Sequence, residues 1–149
     1  QETVEGWKKS ARPGFLYLAF NAPHNPVQPP PEWLDRVRKR EPGASEKRAK
    51  LVALIEHMDD GIGRVMKTLG DAGQLDNTAV IFVSDNGGDC PEDARNLPWR
   101  GCKGEMYEGG IRVPGLISWP GRVKPASTCG EVSLTMDLAP TICGPAWKG

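Results

Sequence analysis

Apolar positions along the chain fall into two patterns. In the first they are continuous, through Phe15–Phe20, Thr78–Ser84 (with Val80, Ile81, Phe82 and Val83 in succession) and Val113–Trp119. Short unbroken apolar runs predict strands buried on both faces of a sheet. Pro114 places the start of the third run at an unpaired or edge position. In the second pattern, Leu51, Val52, Ile55, Met58, Ile62, Val65, Met66 and Leu69 recur every three or four residues. That stripe predicts a long helix over Ser45–Leu69, with Ser45 as N-cap and Gly70 and Gly73 at its exit. A shorter helix is expected over Glu32–Arg40, turning Trp33, Leu34 and Val37 inward after Pro29-Pro30-Pro31 breaks regular structure. Val4 and Trp7 suggest the tail of an amphipathic helix within Gln1–Pro13, and Ser133–Ile142 reads as a short helix limited by Pro140. Loops are expected at Glu41–Ser45 and Val123–Glu131, and Gly144–Gly149 carries no pattern.

Strand, long helix, strand is the pattern of a right-handed crossover in a parallel sheet. It brings the ends of Phe15–Phe20 and Thr78–Ser84 to one edge, where open α/β sheets bind ligands. The residues at those ends carry chemistry. Thr78–Ser84 runs straight into Asp85-Asn86-Gly87-Gly88, a pair of hard oxygen donors followed by two glycines that let the backbone turn away. Phe15–Phe20 leads into Asn21–Pro26, where His24 lies between Pro23 and Pro26. Restricted backbone freedom suits a histidine that must be aimed, although a surface-loop histidine has the same local sequence. Lys103-Gly104 and Tyr107–Gly110 form a further glycine-permitted turn bearing a cation. A metal pair and a lysine brought together suit an anionic, oxygen-rich group.

Composition narrows this picture. At 149 residues the chain fits one domain with a core. Nineteen basic and nineteen acidic residues cancel, so no broad pull toward nucleic acid or a membrane surface is implied. No run approaches a transmembrane span, and no signal-peptide pattern opens at Gln1. Cys90, Cys102, Cys129 and Cys143 contain no C-x-x-C pair, which argues against a zinc knuckle. Their even number leaves disulfides and free thiols both open. The Arg36, Arg38, Lys39 and Arg40 run is a solvated helix face, and His57, Asp59 and Asp60 are read as structural groups on the long helix.

Five motifs resemble the type I sulfatases, arylsulfatase-like enzymes of the alkaline phosphatase-like superfamily. They are Ala22–Pro26, Ser84–Gly88, Arg100–Gly104, Tyr107–Pro114 and Asp137–Thr141, in the family's order and spanning about Phe15 to Ile142. The resemblance implies an α/β fold, here a partial alkaline phosphatase-like domain over 1–149 with a mostly parallel sheet flanked by helices. It implies hydrolysis of sulfate esters on a sulfated small molecule or glycan, at Ca²⁺ or alternatively Mg²⁺. By the same resemblance Asp85 and Asn86 are metal ligands, Lys103 contacts the sulfate, and His24 stands beside the leaving oxygen. Glu108 and Arg112 brace the loop. Trp33 and Trp99 either stack on a substrate ring or pack. The family's compartments are periplasmic, secreted or lysosomal.

The departures matter too. The family's nucleophile is a formylglycine made from Cys or Ser in C-x-[PA]-[SA]-x-R or C-x-P-S-R. Cys90, Cys102 and Cys129 do not fit it, and Cys143–Ala146 is followed by Trp147 where arginine is required. The family's first carboxylate pair lies ahead of anything matched in this chain. The expectation is therefore the middle of a sulfatase domain, inactive when isolated. A phosphate or phosphonate ester hydrolase of the same superfamily, or a binding protein that lost the nucleophile, are the alternatives.

Overall fold

The computed structural model describes residues 2–10 and 12–146. Its order is α1 (Glu2–Lys8), α2 (Pro31–Arg40), α3 (Glu46–Asp71), β1 (Val80–Val83), α4 (Glu108–Ile111), β2 (Gly115–Ser118) and α5 (Leu138–Ala146). Short 3₁₀ turns lie at Leu75–Asn77, Cys90–Glu92 and Thr135–Asp137. Trp147 and the residues after it lie outside the described residues, as does part of the Gln1–Pro13 segment.

The long helix α3 is the scaffold. The Ser45 hydroxyl accepts the Arg48 N–H at 3.0 Å and caps its start. At its exit Gly73 takes a φ of 67°, and the Gln74 N–H reaches back to the Leu69 carbonyl at 2.9 Å. That closure satisfies carbonyls that would otherwise lack partners. Two small cores form along α3. Toward its N-terminal half, Ala49 and Ala53 receive Val37 of α2, with Trp33, Leu34 and Val52 around them. At its C-terminal end, Leu69 and Ala72 pack on Val4 of α1, with Trp7, Val65, Leu75 and Val80. α2 begins at Pro31, whose missing N–H costs nothing at a first helical position.

Charge pairs reinforce the α2–α3 contact. The Arg38 guanidinium donates to both carboxylate oxygens of Glu46, at 2.8 and 3.3 Å. Those bonds hold the Glu46 carboxyl below its ordinary value. A depressed carboxyl stabilises the fold above its unfolded pKa, and that contribution is lost as pH falls through the folded value. His57 lies against Trp33 with ring centroids 5.7 Å apart, and Asp60 pairs with Arg64 at 3.5 Å. The structural reading of both groups agrees with these contacts. Trp33 is a packing residue, half-buried against α3 with Arg36 stacked on it at 4.6 Å.

The sheet differs from expectation. The only strands among the described residues are β1 and β2, paired antiparallel with Val80 opposite Ser118 and Val83 opposite Gly115. Phe15–Phe20 joins no ladder, so the strand expected there, and the parallel crossover built on it, are not formed among these residues. The reason is hydrogen bonding. An apolar run becomes a strand only where a neighbour supplies partners for its N–H and C=O groups. Without one, its side chains are open, with Phe15 76% and Tyr17 79% exposed. β1 is half-buried rather than covered on both faces, and β2 is exposed throughout. Pro114 lies just outside the ladder, as its missing N–H requires.

Two outcomes follow. Val37→Ala should lower stability by about 2 kcal/mol, read from the denaturant midpoint of the helical circular-dichroism signal. A loss under about 0.5 kcal/mol would show that Val37 is not a core residue. Glu46→Gln should lower stability at neutral pH and make its fall in acid shallower than in the parent. An unchanged acid profile would remove Glu46 from the α2–α3 contact.

Candidate active site

β1 delivers its carboxyl end to Ser84, whose hydroxyl donates to the Asn86 carbonyl at 3.0 Å. The Asn86 amide donates to the Gly87 carbonyl at 2.8 Å, which commits its NH₂ and leaves the side-chain oxygen as an acceptor. Beyond this turn the chain doubles back on two later segments. The Gly87 N–H donates to the Gly110 carbonyl at 2.8 Å, and the Lys103 N–H donates to the Gly88 carbonyl at 3.0 Å. The Gly109 N–H donates to the Arg100 carbonyl at 2.7 Å. Gly87 is buried against the Gly109 backbone, where any Cβ would collide with the carbonyl. Three stretches distant in sequence are thus interlocked through backbone alone.

Two further features tighten the knot. Cys90 and Cys102 form a disulfide with Cα atoms 5.7 Å apart, while Cys129 and Cys143 are free and exposed. The open cysteine question is resolved for the pair that flanks the turn and the lysine loop. The second feature is Asn96. Its oxygen accepts the Gly88 N–H at 2.9 Å, and its nitrogen donates to the Gly88 and Gly101 carbonyls, both at 3.0 Å. Asn96 was not among the residues the sequence singled out. Its local sequence, Asn96-Leu97-Pro98, signals only a turn.

The structure therefore brings the Asp85–Asn86 turn and the Lys103 loop together. Lys103 and Asp85 are exposed, and among the described residues neither side chain makes an ion pair or hydrogen bond within the protein. His24 stands apart from them. Its N–H donates to the Asn21 carbonyl at 2.8 Å, and its Nδ1 lies 2.9 Å from the Asn25 carbonyl. A carbonyl only accepts, so Nδ1 carries the hydrogen of this contact, and Nε2 makes no hydrogen bond among the described residues. No hydrogen bond links His24 to Asp85, Asn86 or Lys103 among the described residues. Glu108 and Arg112 pair within α4 at 3.2 Å, and Arg112 stacks on Trp99 at 4.2 Å, a bracing arrangement.

Asp85 and Asn86 suit a hard divalent cation in kind, because both offer oxygen. They fall short in number, since Ca²⁺ takes 6–8 oxygens. Among the described residues there is no group of three or more His, Cys, Asp or Glu that could hold a metal ion. Asp85 and Asn86 alone would make up only part of such a donor set.

The strand-end Asp85–Asn86 turn is thus locked to the Lys103 loop by backbone hydrogen bonds. The chain belongs to the sulfatase family, whose model matches residues 2–146. It is 33% identical over 131 residues to mouse arylsulfatase J, covering 88% of this chain and 21% of that protein. It is 35% identical over 147 residues to human N-acetylgalactosamine-6-sulfatase, covering 95% and 26% respectively. The crystal structure of Ps i-CgsB in complex with k-i-k-neocarrahexaose superposes with a TM-score of 0.89 at 34% identity, over 96% of this chain and 32% of that one. The chain thus spans about a quarter of the length of the curated relatives it matches.

Asn96→Ala leaves the Gly88 N–H and the Gly101 carbonyl without this partner, and the Gly88 carbonyl with the Lys103 N–H alone. Amide hydrogen exchange at Gly88 and Lys103 should accelerate about tenfold or more, with exchange at Leu69 unchanged. Uniform acceleration, or none, would show that Asn96 does not hold this turn.

Proposed function

We propose that residues 1–149 form part of the catalytic domain of a sulfuric ester hydrolase, with Asp85, Asn86, Lys103 and His24 on its reaction face. The observation that carries this reading is the backbone knot holding the Lys103 loop against the Asp85–Asn86 turn. Both the cation donors and the lysine then move as one body, which hydrolysis of a doubly anchored anion requires. The remaining metal ligands and the nucleophile are supplied by other parts of the domain. Phe15–Phe20 and β1 belong there to a larger, mostly parallel sheet whose other strands cover these exposed apolar runs.

Each residue has a chemical task. Lys103 presents a fixed ammonium to sulfate oxygens as negative charge builds on them. His24, held through Nδ1, offers Nε2–H in its cationic form to the departing oxygen. Asp85 and Asn86 contribute two oxygens toward Ca²⁺ or Mg²⁺. When bound, such a cation acts as a Lewis acid on the sulfate group. Sulfated substrates of either small-molecule or glycan type fit this chemistry. Ps i-CgsB, which was crystallised with a neocarrahexaose, supports the glycan. The Cys90–Cys102 disulfide supports an oxidising compartment, whether periplasmic, secreted or lysosomal.

The test is hydrolysis of sulfate esters by the full product of the gene. Lys103→Ala should lower kcat about 10²–10³-fold. His24→Ala should lower it about 10²–10⁴-fold for a sugar sulfate and far less for para-nitrophenyl sulfate, whose leaving group needs no proton. Equal effects on both substrates would remove His24 from the acid role, and wild-type rates in Lys103→Ala would refute the site. For residues 1–149 alone, calorimetry should give a Ca²⁺ dissociation constant weaker than about 10⁻³ M. Tight stoichiometric binding would contradict the partial donor set.

A further inference from the structure

The Cys90–Cys102 disulfide has no task in the chemistry above, yet it closes on the site itself. Cys102 directly precedes Lys103, and Cys90 lies just beyond Gly88, whose carbonyl accepts the Lys103 N–H. The two ends of this bond are held unequally. On the Cys90 side, the Lys47 ammonium donates to the Pro91 carbonyl at 3.0 Å, and the Ser45 hydroxyl bonds to the Asp93 carboxylate. Arg48 donates to the Asp93 carbonyl at 3.3 Å, so this turn is fastened to the start of α3. On the Cys102 side the contacts stay within the loop. Arg100 stacks on Tyr107 at 3.9 Å, and the Cys102 N–H donates to Glu105 at 2.9 Å.

The disulfide is thus the covalent link between an anchored turn and a loop with little anchorage of its own. Packing does not replace it, because Leu97, Met106 and Tyr107 are exposed. What remains without it are backbone bonds and the Asn96 amide, each of modest net strength where water competes. Asn96 also lies 3.7 Å from the Cys90 sulfur, so a change at that sulfur reaches the bridging amide. Cys90 is exposed and Cys102 half-buried, and exposed disulfides are the labile ones.

We propose that Cys90 and Cys102 are positioning residues for Lys103, and that their bond is a redox latch on the site. The inference rests on the sulfatase reading and adds a regulation of that same site. A thiolate of an external dithiol attacks the Cys90 sulfur and expels the Cys102 thiolate, which takes up a proton. The second thiol of the reagent then displaces Cys90, leaving two protein thiols and an oxidised, cyclic reagent. Two electrons pass from dithiol to protein, and oxidation reverses the change. Lys103 is held for turnover only while the bond is closed, so a chain kept among reducing thiols carries a loose Lys103 loop.

The test compares the full product of the gene, oxidised and after dithiothreitol. Reduction should accelerate amide exchange at Lys103 and Gly88 about tenfold or more, with Leu69 unchanged. It should lower kcat for a sulfate ester about 10- to 100-fold with KM little altered, and reoxidation should restore the rate. Cys90→Ser with Cys102→Ser should match the reduced protein and ignore dithiothreitol, which separates the latch from any other effect of the reagent. Cys129→Ser with Cys143→Ser should respond as the parent does. Lys103→Ala should cost less in reduced than in oxidised protein, a coupling that general loss of stability does not produce. Unchanged exchange at Lys103 on reduction, or a dithiothreitol response that persists in the Cys90→Ser, Cys102→Ser protein, would overturn the latch and leave the sulfatase reading standing. Full turnover in Lys103→Ala, with exchange still accelerated on reduction, would instead refute the sulfate site and with it the latch's control of turnover.

Discussion

Everything in the site depends on four glycines whose backbone groups bond to one another or to the lysine loop. The contacts Gly87 to Gly110, Gly88 to Lys103 and Gly109 to Arg100 join stretches separated by up to two dozen residues. They form only because no Cβ stands between the strands of backbone. Side-chain packing could not do this work here, since the surrounding apolar residues, such as Leu97, Met106 and Leu116, are exposed. The hydrogen bonds and the Cys90–Cys102 disulfide supply the rigidity that a core supplies elsewhere. Asn96 completes the arrangement by satisfying three backbone groups with one amide.

That knot is carried by α3, though indirectly. The helix start is fastened to the Cys90–Asp93 turn through Ser45, Lys47 and Arg48, and its far end meets β1 through Val80. The same helix bears α2 on its N-terminal half and α1 at its C-terminal end. A single capped helix thus sets the distance between the strand that delivers Asp85 and the turn that precedes Lys103. The His24 loop is held differently, by its own proline-flanked turn.

How much the sequence shows depends on how local each cause is. α2 and α3 were legible from Val37 and from the stripe that includes Leu51, Val52, Val65 and Leu69, whereas Ala49 and Ala53, the small residues that receive Val37, lie outside that stripe. Phe15–Phe20 announced burial, but burial needs strands beside it, and the ladder is a non-local fact. The direction of the sheet was hidden for the same reason, because an apolar run looks alike in parallel and antiparallel pairs. Asp85, Asn86 and Lys103 stood out where polarity changes abruptly after a strand or beside glycine. Asn96 did not, because its importance lies in backbone groups of Gly88 and Gly101 that only folding brings to it. The cysteine count allowed several pairings, and the fold selects Cys90 with Cys102.

The central claim is that residues 1–149 are one portion of a sulfatase catalytic domain whose nucleophile and first carboxylates lie elsewhere. The most direct measurement is the sequence of the coding DNA flanking this chain, in the same reading frame. The account predicts, ahead of Gln1, adjacent aspartates followed by a Cys or Ser in a C-x-P-S-R-like motif. A frame that closes beside Gln1 with neither feature would contradict it, leaving a chain with the family's fold and half a site.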